Sequence, residues 1–275
     1  MNRIDAKRLI KPRVFFCNNM STEARVTRNF FDASCIWAVE SGGKIEDFSG
    51  VRCIRSPIPH ADFNCALVSD KAGLRPEALE RIRSFFDRQR SEWEIVAPPS
   101  VGDDFYQIPH HISVTRFLRE PEMILPKESA DLRPPPSDLE IHRVRELSER
   151  LSWERTAALG FQMPDPKLFD QLATPQSLET EGLTYYLGTC AGKPVATAIL
   201  FISENIAGIY GVSTIPEFRG RGFGAAMTAS AVLDGFQSGC DLSSLQAGPM
   251  GFPVYLKMGF RHILDYLVWR VSPRV

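Results

Sequence analysis

The chain lacks any run long and apolar enough to cross a bilayer as a helix. Its longest candidate is residues 195–202, preceded at once by Lys193-Pro194, whereas a spanning helix needs about 20 apolar residues. It lacks a charge of one sign in excess, with 32 Lys+Arg against 33 Asp+Glu, which argues against nonspecific nucleic-acid binding as its main task. The N-terminus from Met1 to Phe16 mixes Asp5 with Arg3, Lys7, Arg8, Lys11 and Arg13. It has neither the apolar core nor the small-residue cleavage site of a secretory signal, so a cytoplasmic location is the default expectation, with no membrane partner. The six cysteines, Cys17, Cys35, Cys53, Cys65, Cys190 and Cys240, lie far apart with no C-x-x-C among them. They read as free thiols in a reducing compartment. The five histidines have no cysteine or carboxylate at ligand spacing, so no metal is expected.

What remains is an ordinary globular composition, 44% hydrophobic and 24% charged over 275 residues, enough for a sizeable core. One segment reads as a linker: residues 126–138 include Pro134-Pro135-Pro136, which continue neither a helix nor a central strand. The expected organisation is an N-terminal α/β domain over 1–125, a linker over 126–138 and a C-terminal domain over 139–275. In the C-terminal part, alternation and turn residues predict a strand at 139–144, a helix at 145–159 and a second helix after Pro164-Asp165-Pro166. Strands follow at 183–189, 195–203 and 206–214, separated by tight turns at 191–194 and 204–205. A helix over 224–236, a strand at 242–246, a short helix near 253–258 and a last strand over 262–271 complete the series. In the N-terminal part, strands are expected at 52–54, 63–68, 93–96 and 123–125. A helix over 75–90 has Pro76 at its start and Leu79, Ile82 and Phe86 on one face. Strands, a helix and further strands echo the C-terminal order and read as a degenerate structural repeat, without a glycine motif before the helix.

The most informative stretch is Arg219-Gly220-Arg221-Gly222-Phe223-Gly224-Ala225, which follows a strand and opens a helix. Small residues there allow a tight turn and close approach to a ligand. The first helical N–H groups have no internal partners and the helix dipole adds positive charge, so a phosphate or pyrophosphate suits the position. Arg219 and Arg221 would add charged donors. The dinucleotide fingerprint also fits Gly220-x-Gly222-x-x-Ala225, but Pro216 and Glu217 separate the strand from the first glycine and Asp241 precedes the next strand instead of ending it. A nucleotide P-loop is excluded because no Gly-Lys-Ser/Thr is present.

With Arg219, Gly222 and Gly224 in place, the segment resembles the R-x-x-G-x-G/A motif of the GNAT superfamily of acyl-CoA-dependent N-acyltransferases. Residues 211–218 look like that family's fourth strand and the loop after it. Residues 246–260 look like its later signature, ending in Tyr255-x-x-x-Gly259-Phe260. The resemblance covers about 139–271. It implies an α/β fold with a mixed, largely antiparallel sheet flanked by helices, in which the fourth and fifth strands splay apart. The pantetheine arm of acetyl-CoA would lie in that gap against the backbone of Val212, Ser213 and Thr214. The pyrophosphate would sit on the N–H groups of Arg219, Gly220, Arg221, Gly222, Phe223, Gly224 and Ala225.

The resemblance further implies transfer of an acetyl group from acetyl-CoA to a primary amine of a small molecule or peptide. Tyr255 occupies the place from which the family's tyrosine reaches the CoA sulfur, and a phenol of pKa about 10 can protonate the departing thiolate. The base is not evident: 206–214 contains no carboxylate, Tyr210 and Ser213 are weak bases, and Glu204, Glu154 and His142 are the other candidates. Many family members carry Asn where this chain has Gly248, which removes one cofactor contact. Trp153, on the first helix of the domain, His110, His111 and Arg116 are candidates to shape the acceptor site. Two further readings stand beside the enzyme. One is a non-catalytic CoA-binding regulatory module, motivated by the missing carboxylate. The other is a protein-binding scaffold with a vestigial fold, disfavoured by the intact Arg219, Gly222, Gly224 and Tyr255.

Overall fold

A computed structural model describes residues 20–87, 91–101, 108 and 112–273. The elements run α1 (Thr22–Glu40), β1 (Lys44–Phe48), β2 (Val51–Arg55), β3 (Asn64–Val68), α2 (Pro76–Phe86), β4 (Trp93–Ala97), β5 (Val114–Pro126), β6 (Glu140–Arg143), α3 (Leu147–Gly160), α4 (Pro175–Glu179), β7 (Leu183–Cys190), β8 (Lys193–Ser203), β9 (Ile206–Thr214), α5 (Phe223–Gln237), β10 (Leu242–Gln246), α6 (Phe252–Lys257) and β11 (Arg261–Val271). Cys17, His110 and His111 lie outside the described residues, as do the last three positions of the helix expected over 75–90. Among the described residues no helix is long and apolar enough to cross a membrane. The described residues fall into two compact units, one of 31–122 and 264–273 and the other of 20–30 and 123–263.

In the first unit β1, β2 and β3 pair antiparallel in sequence, and β4 lies parallel to β3 after the α2 crossover. The sheet is closed from the far end of the chain: Leu267–Val271 of β11 pair antiparallel with β4. Leu79, Ile82 and Phe86 of α2 pack with Trp93, Ile95 and Ala97 of β4 and with Leu267, Trp269 and Val271. Trp269 is 3% exposed, so Trp269→Ala is expected to cost about 3–5 kcal/mol. The loss should appear as faster amide exchange in β3 and β4, far away in sequence.

The second unit has the same order with an added first strand and helix. β6, β7, β8 and β9 form an antiparallel run, α5 crosses over, and β10 returns parallel to β9. The end of β5 lies on the other side of β10, where Lys127 N donates to Asp241 O at 3.1 Å. α5 covers one face through Ala226, Met227, Ala229, Val232 and Phe236, which join Leu200, Ile209 and Leu245 in one core with Met123 and Leu125. Ala130 and Leu132 of the proline-rich segment pack onto that core. The protein is therefore an α/β fold with a mixed, mostly antiparallel sheet flanked by helices, and its N-terminal half repeats the meander–helix–parallel-strand order of its C-terminal half.

In the second unit both hairpin turns have positive φ at two successive residues, Ala191-Gly192 and Glu204-Asn205, the geometry whose twist suits a two-residue β-hairpin. Glu204 and Asn205 are not glycine, and α1 braces them: Arg25 Nε donates to Glu204 O at 3.1 Å and Arg25 Nη2 to Asn205 O at 3.3 Å. The second helix expected after Pro164-Asp165-Pro166 is instead a 3-10 segment, Pro166–Leu172, followed by α4. Pro175 has no N–H to continue the spiral, so the chain restarts there with a Thr174 cap.

Candidate active site

The site is built where β9 leaves its neighbours. β9 and β10 pair in parallel at three positions only, Leu242↔Ile206, Ser243↔Ala207 and Ser244↔Gly208. From Ile209 onward the two strands have no shared register, which opens a slot between them. On its other side β9 slips against β8 between Thr197 and Ile199, so that Gly211 and Val212 face Ala198 as two residues against one. This is a β-bulge, a device that re-aims backbone groups. Gly211 has φ +56° and a Cβ there would lie 3.0 Å from the Trp153 ring, so both backbone and space require glycine. Trp153 is fixed by Nε1 donating to Tyr186 O at 3.0 Å and to Ala198 O at 3.2 Å.

At the open end of β9 the chain turns through Pro216–Phe218 into the glycine loop. Gly220 and Gly222 have φ of +76° and +81°. Gly222 caps α5 without any side-chain hydrogen bond, so nothing from the cap residue covers the N–H groups of Phe223, Gly224 and Ala225. A Cβ at Gly220 would meet nothing within 4 Å, one at Gly222 only Pro136 at 3.8 Å, and one at Gly224 only Thr214 Oγ1 at 3.7 Å and Val212 Cγ1 at 4.0 Å. The protein itself does not need glycine at 224, since a Cβ there would make only ordinary contact with Val212 and Thr214. Ser213 points the other way: a Cβ on Gly160 would lie 2.4 Å from its Oγ. Any contribution of Ser213 to a ligand in the slot is therefore through its backbone.

The two arginines of the loop are engaged by protein. Arg219 Nη2 donates to Gly160 O at 2.7 Å and its Nε to Thr214 O at 3.2 Å, so the guanidinium ties the loop to the ends of α3 and β9 while its backbone stays with the loop. Arg221 pairs with Asp138 and lies over the rings of Phe218 and Phe223, 5.1 and 4.9 Å from their centroids. α3 ends at this junction with Gln162 at φ +57°, and Met163 N donates back to Ala158 O at 2.9 Å. A left-handed residue in that position is usually glycine. Gln162→Gly is expected to raise stability by about 1 kcal/mol, read as a higher unfolding midpoint.

Tyr255 sits on α6, 9% exposed, in the same core as α5. Its ring packs over Gly251, where a Cβ would come within 2.7 Å of Cε2. Burial pushes its phenol above the ordinary tyrosine value, and the phenol is hydrogen-bonded to Thr228. Thr228 in turn donates to Gly224 O at 3.0 Å, which links the phenol to the first turn of α5. At Gly248 a side chain would meet nothing within 4 Å.

The candidate bases are tied up elsewhere. Glu154 is buried in an ion pair with Arg150, whose guanidinium lies 3.7 Å from the centroid of the Tyr185 ring. Burial raises the Glu154 carboxyl to about 7 against the pull of Arg150. Glu204 lies in the β8–β9 turn, 3.3 Å from Arg28. His142 is on the outer strand, 3.4 Å from Glu149. The Tyr210 hydroxyl donates to Asn29 Oδ1 at 2.6 Å. Arg116 is an exposed residue of the first unit. Sequence reasoning passed over Thr197, Thr228 and Asn29, polar residues whose only signal is that a buried hydroxyl or amide needs a partner.

The helix of the first unit has no such mouth. Arg75 caps α2 without a side-chain bond, Pro76 supplies no N–H at the first position, and Glu77 puts negative charge in the first turn. Among the described residues the open glycine cradle occurs once.

Residues 146–260 match the family model of the acetyltransferase (GNAT) family, and this stretch of the chain is similar to a GNAT acetyltransferase domain. No curated protein matches the chain. Among solved structures, a GCN5-related N-acetyltransferase from Kribbella flavida is similar at 20% identity and TM-score 0.70, covering 94% of this chain and 98% of that one. A putative acetyltransferase of the GNAT family from Novosphingobium aromaticivorans is similar at 20% identity and TM-score 0.57, with 88% and 97% covered. A tandem GNAT protein from the clavulanic acid biosynthesis pathway is similar at 11% identity and TM-score 0.54, with 81% and 78% covered. At these identities the likeness is one of fold, and it extends over both units.

Proposed function

We propose that the chain is an N-acetyltransferase that moves an acetyl group from acetyl-CoA to a primary amine of a small molecule or peptide. The observation that carries this reading is the meeting of an unzipped β9–β10 pair with an uncapped, glycine-lined helix start. One offers strand backbone to the two amides of a pantetheine arm, and the other offers free N–H groups to a pyrophosphate. Val212, Ser213 and Thr214 would hold the arm through backbone, and the backbone of residues 219–225 would hold the phosphates, with Arg219 keeping the loop in shape. Tyr255, kept neutral by burial, would protonate the departing thiolate. No dedicated base is assigned: an amine that arrives unprotonated, or a water that takes its proton, is sufficient.

The test is a screen of amine acceptors with acetyl-CoA, reading released thiol. Saturable release with at least one amine supports the enzyme. The missing carboxylate on β9 favours a second reading, a CoA-binding regulatory module. Tight acetyl-CoA binding with no amine consumed would decide for it.

A further inference from the structure

We propose that Thr197 is a positioning residue that sets the backbone of the cofactor slot. The proposal rests on the acyl-CoA reading above and adds the side chain on β8 that shapes the bulge of β9. Thr197 is fully buried and is the last residue of β8 in register before the slip. Its Oγ1 donates to Gly211 O at 2.8 Å and lies 2.8 Å from Ser213 Oγ. A threonine hydroxyl has one hydrogen. Since that hydrogen goes to Gly211, the Ser213 hydroxyl is the donor in the second bond, and the chain of bonds runs Ser213, Thr197, Gly211.

This chain of bonds spans the two-against-one mismatch. The Gly211 carbonyl, which has no residue opposite it in the regular ladder, is satisfied by a side chain instead. Trp153 closes the other side, with its ring 3.0 and 3.1 Å from where a Gly211 Cβ would be. Held between these supports, Gly211 and Val212 stay off the β8 ladder just beyond Gly208, where β9 parts from β10. A valine at 197 fills the same volume but leaves the Gly211 carbonyl and the Ser213 hydroxyl without this partner inside the protein. The bulge is then free to relax toward β8, and the slot loses its backbone geometry. The glycine cradle keeps its own tie, Arg219 to Gly160 O and Thr214 O, beyond the bulge.

The experiment is calorimetric titration of wild type, Thr197→Val and Thr197→Ser with acetyl-CoA and with 3′-phospho-ADP, the nucleotide half of the cofactor. For the valine variant we expect acetyl-CoA affinity to fall about tenfold or more, as for a lost buried hydrogen bond, with 3′-phospho-ADP affinity within about twofold of wild type. The serine variant keeps the hydroxyl and should bind acetyl-CoA within about threefold of wild type. The serine variant also keeps the test open if the valine variant does not fold, because acetyl-CoA binding lost there, with the hydroxyl retained, would overturn the assignment. Wild-type affinity in the valine variant, equal loss of both ligands, or a serine variant as poor as valine would also overturn it. Wild type binding neither ligand would remove the acyl-CoA reading itself, and this inference with it.

Discussion

Gly224→Asp is expected to abolish acetyl-CoA binding while leaving the fold intact or slightly firmer. Gly224 is the second residue of α5, and a side chain there would find its nearest neighbour, Thr214 Oγ1, at ordinary contact distance of 3.7 Å. An aspartate in a first helical turn stabilises by about 0.3–1 kcal/mol through the helix dipole, and replacing a helical glycine adds a further ~0.5–1 kcal/mol. By stability alone the substitution is favourable. Against a pyrophosphate on the same N–H groups it is the reverse. Like unit charges about 4 Å apart at an effective dielectric near 20 repel by about 4 kcal/mol, a factor of about a thousand in affinity. Gly224→Asn adds similar bulk without charge and should lose far less, and salt should narrow the gap between the two variants by screening. Circular dichroism and thermal melts report the fold, and calorimetry reports the binding. An aspartate variant that melts like wild type and binds acetyl-CoA within about tenfold of it would show that the anion does not lie there.

Much of the second unit was readable because its signals are local. β9 and β10 fall at 206–214 and 242–246 as expected, since alternation and a two-residue turn act within a few positions. The glycine loop was readable because left-handed φ at Gly220 and Gly222 leaves little choice of residue. What those same residues do with their side chains was not. Nothing in Arg219-x-x-Gly222 tells that the guanidinium turns back to Gly160, because that depends on where α3 ends. α1 was missed for a related reason. Its buried positions Val26, Asn29, Ala33 and Ile36 recur at helical steps, but one of the four is polar, and Phe30 and Trp37 blur the stripe. The amide of Asn29 makes sense only beside Ser203, Ile206 and Tyr210, over 170 residues away along the chain. The strand that closes the first unit is hidden in the same way. Residues 267–271 show a good β pattern, but a pattern names a strand and not its partner, and the partner is β4.

Tyr255→Phe is expected to lower kcat by about a hundredfold, the low end of the range for a general acid, with the KM for acetyl-CoA unchanged. The low end applies because a thiolate is a fair leaving group and needs less help than an alkoxide. Phenylalanine keeps the ring and loses the hydrogen bond to Thr228, which retains its bond to Gly224 O, so stability should change by only about 1 kcal/mol. The pH profile separates an acid from a packing residue. Burial raises the Tyr255 phenol above its ordinary value, so the proton to be donated is present throughout the neutral range. Activity that depends on it is lost only as pH rises through that raised value, giving wild type a late alkaline limb. The phenylalanine variant, having no proton to lose, should lack that limb and run flat at its lower rate. A variant with unchanged kcat across several acceptors, or one that keeps the alkaline limb, would place the proton donor elsewhere and leave Tyr255 as part of the core between α5 and α6.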